Sequence, residues 1–242
     1  MVAGPLRLLR VPAPVLVALA AGLALQIAIR VAEPRVTAVA ADLPAPPSLV
    51  ALKTAALGEP IASAQMLTLY LQAFDTQPGI SIPFKDLDYG RLISWLTSVL
   101  ALHPQAQYPL LLAAQVYSQV PDPDKQRLML EFVYQQFELD PTRRWRWLAH
   151  AALVARHRLH DLPLALRYAR ALAQRAEHPS VPGWARQMHI FLLEDLGEYE
   201  AAKILLGGLL ASGTVTDPHE ILFLTERLNA LESVEKSTNP PK

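Results

Sequence analysis

The chain of 242 residues contains no cysteine, which excludes disulfides, thiolate nucleophiles and thiolate metal sites and leaves its redox compartment open. It also lacks a net charge. Its 22 lysines and arginines balance 22 aspartates and glutamates, so no global field draws it to nucleic acid or to an anionic surface. Aromatic residues are few, β-branched runs are scarce, and alanine and leucine dominate, a balance that favours helices over strands. A phosphate-cradling glycine loop, a nucleophile elbow and an HExxH pattern are all missing. Carboxylate pairs such as Asp86 with Asp88 and Glu194 with Asp195 read as acids of turns and helix ends. His157 and His160 stand three apart with no third ligand nearby, and helix-end histidines are favoured by the dipole. The expectation is a protein without catalytic residues, cofactor, metal or small-molecule substrate.

One long uncharged run is present. Residues 11–29, "VPAPVLVALAAGLALQIAI", are nineteen positions without a charged side chain. As a helix at about 1.5 Å per residue they reach roughly 28 Å, close to the hydrocarbon thickness of a bilayer. Pro12 and Pro14 stand where a helix start tolerates a missing donor. The expected organisation is a retained transmembrane helix within residues 1–32, a Pro-rich extended spacer over 33–47, a helical domain over 48–232 and a disordered tail over 233–242. A cleaved signal peptide is the rival reading, with "AVA" at 38–40 as its cleavage site; that site follows the apolar run at an unusually long distance. Arg7, Arg10 and the free amine outweigh Arg30 and Arg35 offset by Glu33. The positive-inside rule then puts the large domain in the periplasm of a bacterial inner membrane.

The remainder has a period. His103-Pro104, Asp140-Pro141, His178-Pro179 and Asp217-Pro218 place prolines 37, 38 and 39 residues apart. A residue before proline avoids helical backbone, so each dipeptide marks a break between helices. Within the units, Trp147, Leu148, Ala151, Ala152 and Ala155 form one apolar stripe, answered by Ala165, Leu166, Ala169, Leu172 and Ala173. Trp184, Met188, Phe191 and Leu192 form another, answered by Tyr199, Ala202, Leu205, Leu206 and Leu209. Asp217 with Glu220 reads as a capping box opening a terminal helix. Residues 48–75 read as a further hairpin broken near Gly58-Glu59-Pro60, followed by a Pro/Gly loop at 75–86.

The segments "LALHPQAQYP", "FELDPTRRW" and "LGEYEAAKILL" resemble tetratricopeptide repeats over residues 86–232. Ala165 and Ala202 match the family's small-residue position in the second helix, and Tyr199 its aromatic in the turn. Tyr117, Leu153 and Ile190 depart from it where the first helix carries a small residue, so the repeats are degenerate. The resemblance implies an all-α, right-handed array of helical hairpins, an α-solenoid, behind a single transmembrane helix. It implies a scaffold that holds a protein partner in a groove, without catalysis.

Two stretches are candidate partner-binding sites. Arg143, Arg144, Trp145 and Arg146 crowd the first turn of a helix, where cations oppose the dipole and point to an anionic neighbour. Trp147 is expected in the core, and Trp145, about 200° away on the helix, facing elsewhere. Ile80, Ile82 and Phe84 alternate in the loop, either plugging the end of the core or offering an apolar strip. Residues 143–186 hold nine arginines against Asp161 and Glu177, whereas 194–235 hold nine acids against Lys203 and Arg227. That asymmetry reads either as ion pairs between neighbouring units or as a surface steering an acidic partner segment. Gly207-Gly208 inside a helix calls for close approach by a neighbouring helix or a partner. The functional expectation is a membrane-anchored scaffold in a membrane-associated complex. The alternative is an accessory subunit whose contacts run through its transmembrane helix, with "AAGLA" at 20–24 as the packing patch.

Overall fold

The structure, a computed structural model, describes residues 12–32, 40–176 and 178–238. The flanking Arg7 and Arg10, residues 33–39 of the expected spacer with Arg35, and the last four residues of the tail lie outside the described residues.

Helix α1 spans Ala13–Ala32. Residues Ala13–Val31 are all exposed, so the helix takes no part in the core. It is long and apolar enough to cross a membrane, a property that a signal sequence shares.

The rest is helical apart from one tiny hairpin. Helices α2 (Leu49–Ala55) and α3 (Pro60–Ala73) lead to a two-residue antiparallel ladder, Thr76–Gln77 against Ile80–Ser81, and a 3-10 turn at Phe84–Asp86. Then follow α4 (Tyr89–Leu102) and α5 (Tyr108–Leu111), which runs on through a π turn at Leu112–Val116 and a 3-10 turn at Tyr117–Gln119. Six helices complete the chain: α6 (Pro123–Leu139), α7 (Pro141–His157), α8 (Leu162–Arg175), α9 (Gly183–Asp195), α10 (Tyr199–Ala211) and α11 (Pro218–Thr238). The helix therefore continues through the first part of the tail expected to be disordered.

Local chemistry sets these boundaries. Asp88, Asp122, Asp140 and Asp161 each accept a bond from a first-turn amide of the helix that follows. Proline occupies the first turn of α3, α6, α7 and α8, where its missing donor costs nothing. Asp140, extended at φ −151, ends α6 and caps α7 at once, so a single residue makes that connection. Gly197 ends α9 at φ +78, a left-handed turn that a side chain would strain. The π turn loosens the carbonyls around it, and side chains take them up: Tyr89 Oη donates to Tyr117 O at 2.7 Å and Gln126 Nε2 to Val120 O at 2.6 Å.

From α6 onward each helix packs on its neighbours in sequence, around one contiguous core that runs from Leu43 to Leu231. Alternate helices run parallel at a nearly constant offset. Glu131 and Glu138 of α6 pair with Arg167 and Arg175 of α8, 36 and 37 positions on. Trp145 and Arg156 of α7 meet Trp184 and Asp195 of α9. Gln187 and Glu194 of α9 meet Glu220 and Arg227 of α11, 33 positions on in both cases. The exposed pairs Glu131–Arg167 and Glu138–Arg175 are worth at most about 1 kcal/mol each and act mainly on register, whereas Glu194, paired with Arg227, is buried. Arg156–Asp195 bridges the basic and acidic stretches of the sequence; Arg167, Arg175 and Arg143 pair with Glu131, Glu138 and Asp140 instead.

Three expectations change. Residues 40–48 are irregular but are no free spacer: Leu43 is buried, its carbonyl accepts from Arg91 Nη1 at 2.8 Å, and Pro44 O accepts from Trp95 Nε1 at 2.8 Å. Trp145 is the buried indole of α7, in a stripe with Leu148, Ala152 and Ala155, while Trp147 is half-buried and donates to Gln107 Oε1 at 2.7 Å. The helical register set by Leu148 runs back through Trp145, three residues earlier, rather than through its neighbour Trp147. Arg144 is the third. It is 5% exposed, and its guanidinium donates to Gln136 O (2.7 Å), Gln136 Oε1 (2.8 Å) and Pro104 O (2.9 Å). Burial lowers its pKa, but a guanidinium stays charged under any ordinary condition, so it works as a strut tying α7 to the end of α6 and the turn between α4 and α5.

Arg144→Ala leaves three acceptors without their donors and should cost about 3 kcal/mol, a melting-temperature fall of roughly 10 °C. Arg143→Ala, next to it but exposed, should stay within about 0.5 kcal/mol. Thermal melts of the two variants read the difference directly.

Candidate partner-binding surface

Of the four basic-aromatic residues expected as a site, the structure leaves two at the surface. Arg143 is exposed, with Asp140 of its own turn 3.6 Å away, and Arg146 is exposed with its guanidinium 5.4 Å from the centre of the Trp145 ring. Arg144 and Trp145 are inside. An Arg-to-Glu change at all three arginines would therefore combine two surface changes with the loss of a buried strut.

What takes their place is Trp184, from the first turn of α9. It is 53% exposed and stands edge-on to Trp145, centroids 5.8 Å apart and planes at 69°. In the stripe Trp184, Met188, Phe191, Leu192, Leu192 is buried and Met188 and Phe191 are half-buried against the core, so Trp184 alone stands open. The buried sides carry Ala185, Ile190, Leu192 and Leu193. Phe191 meets Phe223 of α11, itself 53% exposed, with centroids 6.0 Å apart. An aromatic strip thus runs along α9 onto α11, with Arg146 over the indole at its α7 end. Sequence reasoning missed Trp184 because periodicity identifies a face without saying which neighbour covers it.

Behind this strip, α9 and α10 enclose a groove of about 540 Å³, lined by Arg186, His189, Ile190, Leu205, Gly208 and Val215. A Cβ on Gly207 or Gly208 would meet nothing within 4 Å, so no neighbouring helix demands these glycines. Glu220 does not complete a capping box with Asp217. Its Oε1 accepts from Gln187 Nε2 at 2.6 Å, beside Gly183, where a Cβ would come within 2.9 Å of that oxygen.

The loop residues sit closer to the core than to a partner. Ile82 and Phe84 pack on the core, Phe84 edge-on to Tyr117 with centroids 5.4 Å apart, and Ile80 is half-buried at the hairpin turn. Two histidines sit where the charged form is disfavoured. Burial holds His150 below its ordinary value, and His189 is lowered by burial and by the nearby Arg170, against a bond from its ring to Arg186 O at 2.8 Å. His160 takes the left-handed turn between α7 and α8 at φ 51.

No protein-family model, curated protein or solved structure matches the chain.

The two half-buried histidines carry a prediction with a definite sign. Their folded-state pKa values lie below the ordinary 6.5, so under that pH the unfolded chain takes up protons that the folded chain refuses. Stability is therefore full above about pH 6.5 and falls as the pH drops below it. Melts between pH 7.5 and 5.5 should show this decline, and the double variant His150→Gln/His189→Gln should flatten it.

Proposed function

We propose that this chain is a non-catalytic, membrane-anchored scaffold: a degenerate tetratricopeptide-like array of helical hairpins, held at a membrane by α1, that binds a protein partner. The parallel runs of alternate helices at offsets of 33 to 39 residues support the repeat reading. So do the prolines at the breaks between hairpins. A bacterial inner membrane with the domain in the periplasm accords with the arginines that flank the apolar run.

The observation that carries the binding role is Trp184. A large indole left half-open on a rigid helix, braced by a buried Trp145 and bordered by Arg146, combines the two residue types that dominate binding hot spots. Phe191 and Phe223 extend the apolar contact and Arg143 adds charge. The partner that fits is a protein segment with an apolar anchor and an acidic flank.

The second reading makes α1 itself the contact. The exposure of Ala13–Val31 and the open space around Gly22, with Ala20, Ala21 and Ala24 beside it, favour that reading.

Crosslinking of the full-length chain in its native membrane, read by mass spectrometry, separates the two. Trp184→Ala, and Arg143→Glu with Arg146→Glu, should each reduce crosslinks to a recurrent partner by about 30-fold, equivalent to about 2 kcal/mol, with thermal melts unchanged. Partner crosslinks that survive these changes and vanish with Gly22→Leu would transfer the role to α1.

A further inference from the structure

At the other end of the domain, α3 carries no charged side chain anywhere over Pro60–Ala73. Its inner side packs on α4 through Ala64, Thr68 and Leu71. Its outer side holds Ala62, Met66, Leu69 and Ala73, spaced 4-3-4 and all exposed, Met66 at 67% and Leu69 at 57%. A helix that is apolar on both sides is ordinarily buried on both. The same surface continues through Leu49 and Val50 of α2 and Leu57, 90% exposed at the tip of the α2–α3 turn. Across residues 48–73 the only charges are Lys53 and Glu59, which cancel. No described part of the chain covers this patch.

The position of the patch relative to α1 says what does. The chain leaves α1 at Ala32 and is fixed to the domain again at Ala41, which exchanges two hydrogen bonds with Gln77, then at Leu43 and Pro44, pinned by Arg91 and Trp95. The eight residues between Ala32 and Ala41 span at most about 30 Å when fully extended. The Trp95 ring in turn lies 5.5 Å from that of Tyr70 on α3, so the tether lands beside the uncharged patch. With α1 across a bilayer, the α2–α3 end of the domain is the end held at the lipid surface, whatever the other end binds. Large exposed apolar patches on an otherwise polar domain mark contact surfaces, and an interfacial helix beds its apolar side at the boundary of headgroups and acyl chains.

We infer that the outer face of α2 and α3 rests in the interfacial layer of the same membrane that α1 crosses, so that the domain is held down on the bilayer at a set orientation. This rests on the anchored reading above. Met66, Leu69 and Leu57 are then in contact with lipid, and the aromatic strip on α9 and α11, at the far end of the helix succession, stays in water and open to a partner.

The absence of cysteine makes the test clean, because any introduced thiol is unique. Met66→Cys, Leu57→Cys and, as a control, the exposed Arg186→Cys are each labelled with an environment-sensitive nitrobenzoxadiazole dye in the full-length chain. The labelled proteins are reconstituted into phosphatidylcholine–phosphatidylglycerol vesicles, with and without lipids that carry a shallow nitroxide quencher. The expected result is blue-shifted emission at 66 and 57, quenched at least two-fold more than at 186. Water-like emission at 66 and 57 would overturn the inference, and so would a blue shift without lipid quenching, which would mean that a second copy or another protein covers the face. Alkaline carbonate extraction of the same vesicles keeps the two readings apart. A chain that stays with the lipid but shows no quenching sinks the interfacial face alone, whereas a chain released by carbonate sinks the anchor and the face together.

Discussion

Backbone that precedes proline is biased away from the helical region, and beyond the first turn of a helix this bias ends it; four such points divide the domain from α4 to α11. His103, Asp140, His178 and Asp217 each lie in a break between helices, so the chain is cut into lengths that differ by only a residue or two. Similar lengths joined by short turns bring alternate helices side by side and parallel. The side-chain ties follow from that geometry, since an arginine on one helix finds its glutamate 36 or 37 residues earlier at an equivalent height. Removing a break would fuse two helices and shift every later contact.

The polar residues divide sharply by burial. Exposed arginines pair with acids across neighbouring helices and contribute little individually. Arg144 forms no ion pair among the described residues and instead holds three acceptors on two other segments, so it matters more than its more visible neighbours. The aromatic residues divide in the same way. Trp145 is core, Trp184 leans on it from outside, and the exposed ring is rigid because the buried one is. A rigid apolar side chain loses little freedom when a partner covers it, which suits a binding surface.

Apolar surface left uncovered is concentrated at two ends with different character. The α9–α11 strip is aromatic and bordered by arginine, a combination suited to a specific protein contact. The α2–α3 face is aliphatic, without net charge and close along the chain to α1, a combination suited to lipid. Reading them as two separate contacts gives the domain a membrane side and a partner side.

Much of this was legible in the one-dimensional pattern. The apolar length of α1, the breaks at 103, 140, 178 and 217, the α2–α3 break near Gly58 and the small buried positions Ala165 and Ala202 all follow from local rules: helix rise, proline sterics and turn preference act within a few residues. The site was not legible. Trp145, expected to face elsewhere, is buried while Trp147 packs on the core only half-buried. Trp184 faces outward from a stripe that otherwise packs on the core, and Leu43 belongs to the domain and not to its spacer, whereas Ile82 and Phe84 plug the core as one of their two readings had it. In each case the sequence defines a face or a polarity, but burial depends on which other helix arrives at that face, and that neighbour lies some forty residues away along the chain. Periodicity determines how a side chain points from its own helix; only the packing of one helix against the next decides whether it points into protein or into solvent.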